Sequence, residues 1–265
     1  MRLSVLGTGN AQALRCYNTC FVLQNREGCL LCDCGGGNEI LNRLKKVELS
    51  VNDIHHMILT HAHCDHLLGA VWMIRMIATA MNKGSYNGNL YIYCHDSVTK
   101  LLTLMCEGML QGKMVKHIGE RILFCPVTDG AEYTLLDTTV KFFDIHSTKM
   151  LQYGFTLEGD GKRICCLGDE PYNPLCESSI QGADWVLCEA FCLYGERDQF
   201  KPYEKNHSTV KEACELAQKL NIPNLVLWHT EDSHITERKA LYTAEGSAYY
   251  HGNLFVPDDL EQIEL

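Results

Sequence analysis

The sequence predicts an α/β fold: two mixed β-sheets face to face with helices on both outer faces, an αβ/βα four-layer sandwich. Three observations point to it. Short β-type apolar runs cluster in both halves of the chain, helix-period segments stand between and after them, and no linker, repeat or low-complexity tract separates the halves. A sheet buries at least one face and an amphipathic helix one stripe, and two sheets with helices outside meet both needs. With 265 residues, 46% of them hydrophobic, the chain can build a substantial core, read here as a single domain over 1–265.

The elements follow in order. Leu3–Leu6, Thr19–Leu23 and Cys29–Cys32 are β-type runs between Gly-rich or polar turns and read as an antiparallel meander. Asn38–Val47 has helical spacing with Ile40, Leu41 and Leu44 on one face. A strand over His56–Thr60 leads into a polar turn and then a buried helix from about Leu67, with Asp65 placed as its N-cap. Strand Leu90–Cys94 and helix Val98–Leu110 come next. Strands are expected near Ile122–Val127, Thr139–Asp144, Tyr153–Glu158, Arg163–Leu167 and Trp185–Cys188. Helix Thr209–Leu220, strand Leu225–Trp228 and helix Ile235–Tyr242 complete the pattern.

Bulk properties narrow the function. A formal net charge of -10 gives no overall attraction to nucleic acid or to an anionic membrane. The apolar segment Leu67–Met81 carries Arg75 in its middle and is shorter than the roughly 20 residues of a membrane span, so no membrane association is expected. Fifteen cysteines, many inside apolar runs, fit reduced thiols and a cytoplasmic protein better than a disulfide scaffold. The opening apolar run is too short for a secretory leader. Cys29, Cys32 and Cys34 lack the second CxxC pair of a zinc ribbon and read as core packing. Gly7-Thr8-Gly9 is a turn without dinucleotide-binding spacing.

The stretch THAHCDH, Thr60 to His66, holds three imidazoles and a carboxylate. Such groups lose hydration on burial and recover it through hydrogen bonds or a metal. His61 and His63 point the same way if the strand stays extended, whereas Asp65 and His66 follow the turn and suit a second cation. These N/O donors favour Zn²⁺, with Mn²⁺ or Fe²⁺ as alternatives. Further candidates each close an apolar strand: His146 after Phe142-Phe143-Asp144-Ile145, Asp169 after Cys165-Cys166-Leu167-Gly168, and His229 after Leu225-Val226-Leu227-Trp228. Strand-end loops are where sites collect on a rigid scaffold.

Those ligands, with the segments LGTGNAQALRCYNTCFVLQ, LLCDCGGG, LTHAHCDHLLG, HSTKMLQYGFTLE, CLGDEP, ADWVLCEAF and KNHSTVKEACELAQKLNIPNLVLWH, resemble the metallo-β-lactamase superfamily, in particular its ribonuclease Z branch and related phosphodiesterases. The resemblance implies a zinc-dependent hydrolase with two Zn²⁺ per chain, one held by His61, His63 and His146, the other by Asp65, His66 and His229, with Asp169 bridging. It implies that a metal-bridging hydroxide attacks phosphorus, that Asp65 accepts a proton from the attacking water, and that His207, oriented by Glu189, protonates the leaving oxygen. It also implies a homo-oligomer acting on a phosphodiester, with precursor tRNA as the branch's RNA substrate. The same metal pair would serve a small cyclic phosphodiester, ester, lactone or thioester. An iron-dependent redox protein is the rival on this fold.

Two departures bear on substrate. Only 22 residues, Ser147 to Gly168, separate His146 from Asp169, where the bacterial ribonuclease Z enzymes insert a basic tRNA-binding arm. After His229 the chain reads HTEDSHITERK instead of the branch's aromatic and Ser/Arg-containing tail. Gly108–His117 is a mildly basic candidate for a substrate flap. Asp232 and His234 are candidate supports for the site, and His55, His56, His95, His117 and His251 read as surface or satisfied histidines.

Overall fold

The computed structural model describes all 265 residues and divides the chain into two compact units. The first comprises 1–7, 17–127 and 259–265; the second comprises 8–16 and 128–258.

The first unit is built on a seven-stranded mixed sheet. Its strands are β1 (Arg2–Gly7), β2 (Cys20–Asn25), β3 (Gly28–Cys32), β4 (Ile54–Ile58), β5 (Leu90–Cys94) and β6 (Ile122–Pro126). The remaining strand, Gln262–Glu264, pairs antiparallel with β1 at the sheet edge. The meander expected over β1, β2 and β3 is present and antiparallel. From β3 onward the neighbours β4, β5 and β6 run parallel. A parallel connection needs a crossover, and helices lie in all three of them here. Helix α1 (Glu39–Lys46) lies between β3 and β4, and α2 (Cys64–Lys83) between β4 and β5. Helices α3 (Asp96–Met109) and α4 (Gly112–Val115) lie between β5 and β6.

Sequence accounts for these helices. In α1, Glu39 opens the first turn and Arg43, Lys45 and Lys46 close the last, each charge suited to its end of the helix dipole. Helix α2 buries Leu67, Ala70, Met73, Ile74, Ile77, Ala78 and Met81 and stops at Gly84, which adopts φ +72° as only glycine does without cost. These side chains join Ile40, Leu44, Val98, Leu102 and the inward residues of the sheet in one core. Helix α2 starts earlier than predicted: His63 is its N-cap, and Asp65 sits inside the first turn. The candidate flap 108–117 instead contains the turn of helix α4, with His117 buried and its Nε2 3.0 Å from Asn82 Oδ1.

The second unit has its own seven-stranded mixed sheet. Strands β7 (Glu132–Leu135), β8 (Thr138–Asp144), β9 (Tyr153–Gly159) and β10 (Lys162–Cys166) form an antiparallel run. Strands β11 (Trp185–Glu189), β12 (Asn224–Trp228) and β13 (Asn253–Phe255) extend it in parallel, and the edge strand of the first unit becomes β14. Short helices α5 (Glu177–Ile180) and α6 (Arg197–Phe200) precede α7 (Val210–Lys219) and α8 (Arg238–Gly246). The core joins Ile180, Val210, Ala213, Cys214, Ala217 and Tyr242 to Cys165, Val186, Cys188, Leu225 and Leu227. Helix α7 opens on Thr209, whose N–H and hydroxyl both donate to Glu212 at 2.8 and 2.9 Å.

The two-sheet α/β class is the one predicted. Short β7, β13 and β14 escaped the sequence reading because runs of three or four residues carry too little alternation to read. The last helix starts three residues later and ends four later than predicted, at Arg238–Gly246, because Thr230–Glu237 forms a turn-rich loop pinned by side-chain hydrogen bonds. All 15 cysteines are free thiols. No helix is long and apolar enough to cross a membrane.

One close approach makes a prediction. A Cβ at Gly69 would lie 1.9 Å from the Cys34 carbonyl oxygen, where α2 crosses the loop after β3 and the Gly69 N–H donates to the Gly35 carbonyl at 2.8 Å. Backbone on both sides leaves nothing flexible to yield. Gly69→Ala is expected to destabilise by about 1–3 kcal/mol, read as a fall in the denaturation midpoint with an unchanged m-value. An unchanged midpoint would contradict this packing.

Candidate functional site

The directions of the strands decide where polar groups can gather. Parallel strands end on one rim of their sheet, and open α/β sheets place ligands at those carboxyl ends. In the first unit β3 delivers Asp33 and β4 delivers the turn from Thr60 to His66. In the second unit β10 delivers Asp169, β11 ends on Glu189 and β12 delivers His229. Strand β8 is antiparallel to β9, itself antiparallel to β10, so β8 and β10 point the same way and His146 leaves from the rim that carries Asp169.

In the first unit Asp33 organises the cluster. Its carboxylate accepts from the Thr60 N–H at 2.9 Å and the Thr60 hydroxyl at 2.8 Å, and lies 2.8 Å from His66 Nδ1. With Nδ1 donating to Asp33, the basic electron pair of His66 is left on Nε2, 3.3 Å from Asp65 Oδ2. Thr60 Oγ1 stands 2.9 Å from His61 Nδ1, and the other nitrogen, Nε2, is 2.8 Å from His63 Nδ1. Two nitrogens held at about 2.0–2.1 Å in a tetrahedral zinc site are about 3.3 Å apart, so a small ring rotation makes this pair a chelate. His61, Asp65 and His66 are buried and His63 is half-buried. The donor set therefore fits a borderline N/O cation. His63 reaches it as the N-cap, and Asp65 and His66 through the first helical turn.

The second unit carries the other candidates. His229 Nε2 lies 3.7 Å from Asp169 Oδ2, and both residues are buried. The His207 ring is 5.3 Å from the His229 ring and stacks on Phe191 at 4.9 Å with planes 5° apart. Glu189 is fully buried; its Oε1 accepts the Ser208 N–H at 2.6 Å, and its Oε2 faces His207 Nδ1 at 3.5 Å. His146 is exposed, its N–H donating to Asp144 Oδ1 at 2.7 Å.

Three of these positions share a costly backbone. Asp33, His146 and His229 have φ of 54°, 58° and 56°, in the left-handed region that bulky residues avoid. Each costs of order 1–3 kcal/mol and turns a side chain sharply at a strand end. Asp232 and His234 do other work. Asp232 Oδ2 accepts the N–H groups of Leu14 and Arg15, and His234 Nε2 lies 2.8 Å from Glu196, whose hydrogen bond raises the imidazole pKa. Both brace the loop after His229.

In linear sequence Asp33 is visible only as an aspartate closing an apolar strand before glycines, with nothing to show which groups it meets. The Phe191 stack on His207 has no signal in linear sequence, because it depends on how the turn after β11 returns to the start of α7.

The fold and these residue sets define a metal-dependent hydrolase of the metallo-β-lactamase superfamily. The chain belongs to the anti-Pycsar protein Apyc1 family, whose family model matches residues 1–244. It is similar to ribonuclease Z from Phocaeicola vulgatus, at 24% identity over 305 residues covering 97% of this chain and 95% of that protein. Among solved structures it is similar to the metallo-β-lactamase fold protein YhfI from Bacillus subtilis, with a TM-score of 0.80 at 16% identity, covering 99% of this chain and 98% of that one. The short form of human tRNase Z matches with a TM-score of 0.74 at 21% identity, covering 100% and 99%.

Asp33 supplies the direct test of the first cluster. Asp33→Asn keeps the shape and presents an amide where three donors converge. The change is expected to weaken zinc binding by about 10–100-fold, read by competition with a chromophoric chelator. An unchanged affinity would contradict the assignment of Asp33 as the residue that orients His66.

Proposed function

We propose that this chain is a dinuclear zinc phosphodiesterase in which His61, His63 and His146 hold one ion, Asp65, His66 and His229 hold the other, and Asp169 bridges them. The observation that carries the reading is the delivery of these donors by strand-end loops and, for Asp65 and His66, by the first turn of the helix that follows β4. When bound, the ions supply an activated water and neutralise the phosphoryl oxygens. The remaining chemistry belongs to the chain. Asp65 accepts a proton from the attacking water. His207 gives one to the leaving oxygen, and Glu189, with Oε2 3.5 Å from His207 Nδ1, holds the imidazole in the orientation for that transfer. The flat face of Phe191 restrains the His207 ring.

The ribonuclease Z name of the relatives extends the reading to RNA as a substrate. A second reading, hydrolysis of a small or cyclic phosphodiester, is favoured by a specific observation. Between His146 and Asp169 the chain has only β9, β10 and the turn at Gly159–Lys162, with no inserted arm, and its net charge is -10. An extended polyanion would meet repulsion over most of this surface, whereas a small diester needs only the local positive field of the ions. We extend to this chain the activity against Pycsar that names its family. A homo-oligomer is part of the proposal, supported by the exposed apolar side chains Leu68, Trp72, Leu104 and Met109.

The zinc-loaded protein is to be assayed on precursor tRNA with a 3′ trailer, on a cyclic mononucleotide and on bis(p-nitrophenyl) phosphate. The expected result is hydrolysis of both small diesters, with His207→Ala slowing the poor alkoxide leaving group by about 10²-fold more than the nitrophenolate, which needs no proton. A single cut at the trailer junction would move the substrate to tRNA. Hydrolysis of an ester, lactone or thioester with all three diesters intact would contradict phosphodiester chemistry.

A further inference from the structure

We propose that Glu170 is a positioning residue that ties together the three loops carrying His146, Asp169 and His207. This rests on the roles given to those residues under the proposed function and names the part that keeps them in register. Glu170 directly follows Asp169 and is buried, at 4% exposure. Its Oε1 accepts the hydroxyl of Ser147, the residue after His146, at 2.7 Å. Its Oε2 accepts the Nδ2–H of Asn206, the residue before His207, at 2.5 Å. One carboxylate thus joins three strand-end or pre-helix loops that are separated by tens of residues in sequence.

The local backbone shows why a clamp is needed. His146 and Asn206 both adopt left-handed φ, 58° and 53°. A loop held by such residues keeps one conformation only when its surroundings over-determine it. Ser147 Oγ also accepts the N–H groups of Lys149 and Met150 at 3.2 and 3.3 Å, so its own hydrogen is directed to Glu170 and the turn after His146 is anchored there. Asn206 spends its amide hydrogen on Glu170 in the same way, which sets the direction from which His207 enters. Two short hydrogen bonds to a carboxylate are of the stronger charge-assisted kind. A buried carboxylate is costly without such partners, and leaving one unmet is costlier still.

The clamp separates into two arms. Asn206→Ala releases only the loop of His207, and Ser147→Ala only that of His146. Rates on bis(p-nitrophenyl) phosphate and on a dinucleoside monophosphate, whose leaving group is a poor alkoxide, give the ratio that reports proton donation. Asn206→Ala and Glu170→Ala are expected to raise this ratio by about 10-fold or more, since a displaced acid matters only for the poor leaving group. Ser147→Ala and Glu170→Ala are expected to weaken Zn²⁺ binding by about 10-fold in chelator competition. Glu170→Gln, with one acceptor oxygen in place of two, is expected to fall between Glu170→Ala and the unaltered protein. Folded Glu170→Ala protein with an unchanged leaving-group ratio and unchanged Zn²⁺ affinity would overturn the proposal, whatever its thermal stability. If the unaltered protein cleaves neither diester, the phosphodiesterase reading has failed, and the Zn²⁺ affinities of the Ser147 and Glu170 variants still decide the clamp. Weakening supports it, and unchanged affinity overturns it.

Discussion

The Asp33 carboxylate sits at the end of β3 and accepts from the backbone and hydroxyl of Thr60 and from the His66 imidazole, all at 2.8–2.9 Å. The first cluster of donors depends on that arrangement. It fixes the start of the turn through Thr60 and its end through His66, with His61, His63 and Asp65 between them. It also selects Nε2 as the nitrogen of His66 that is turned away from Asp33. The loop that carries Asp33 is held to α2 by two backbone hydrogen bonds, Cys34 N–H to the His66 carbonyl and Gly69 N–H to the Gly35 carbonyl, at 2.9 and 2.8 Å. Packing of α2 against its sheet and the orientation of the donors are therefore the same physical fact, and a defect in one is felt in the other.

The second unit uses the same device with different residues. A polar side chain leaves a strand end in a strained backbone conformation, and a buried carboxylate behind it receives hydrogen bonds from neighbouring loops. Glu189 receives the Ser208 N–H at the start of α7, and Glu170 receives Ser147 and Asn206. The capping of α7 by Thr209 and Glu212 fixes the other side of His207.

Much of this was legible in linear sequence, for a stated reason. Apolar alternation and helical spacing are strong in β1 to β4, α2 and β12, and a ligand placed after a strand is visible as a polar residue closing an apolar run. His61, His63, Asp65, His66, Asp169 and His229 are visible that way as polar residues at or just after the ends of apolar runs. What could not be read depends on the return of the chain in space. Asp33 and Glu170 act through partners 23–36 residues away in sequence. Boundaries also slipped where capping is unusual: a histidine, His63, caps α2, a role that sequence rules give to Ser, Thr, Asp or Asn.

The central claim is that the strand-end donors hold a pair of redox-inactive ions. Elemental analysis of the protein after zinc loading and removal of free metal, with its visible spectrum, tests it most directly. The account predicts a colourless protein with about two zinc ions per chain, as two-metal hydrolases carry. A coloured protein retaining iron in preference to zinc, or one retaining no metal after loading, would contradict it.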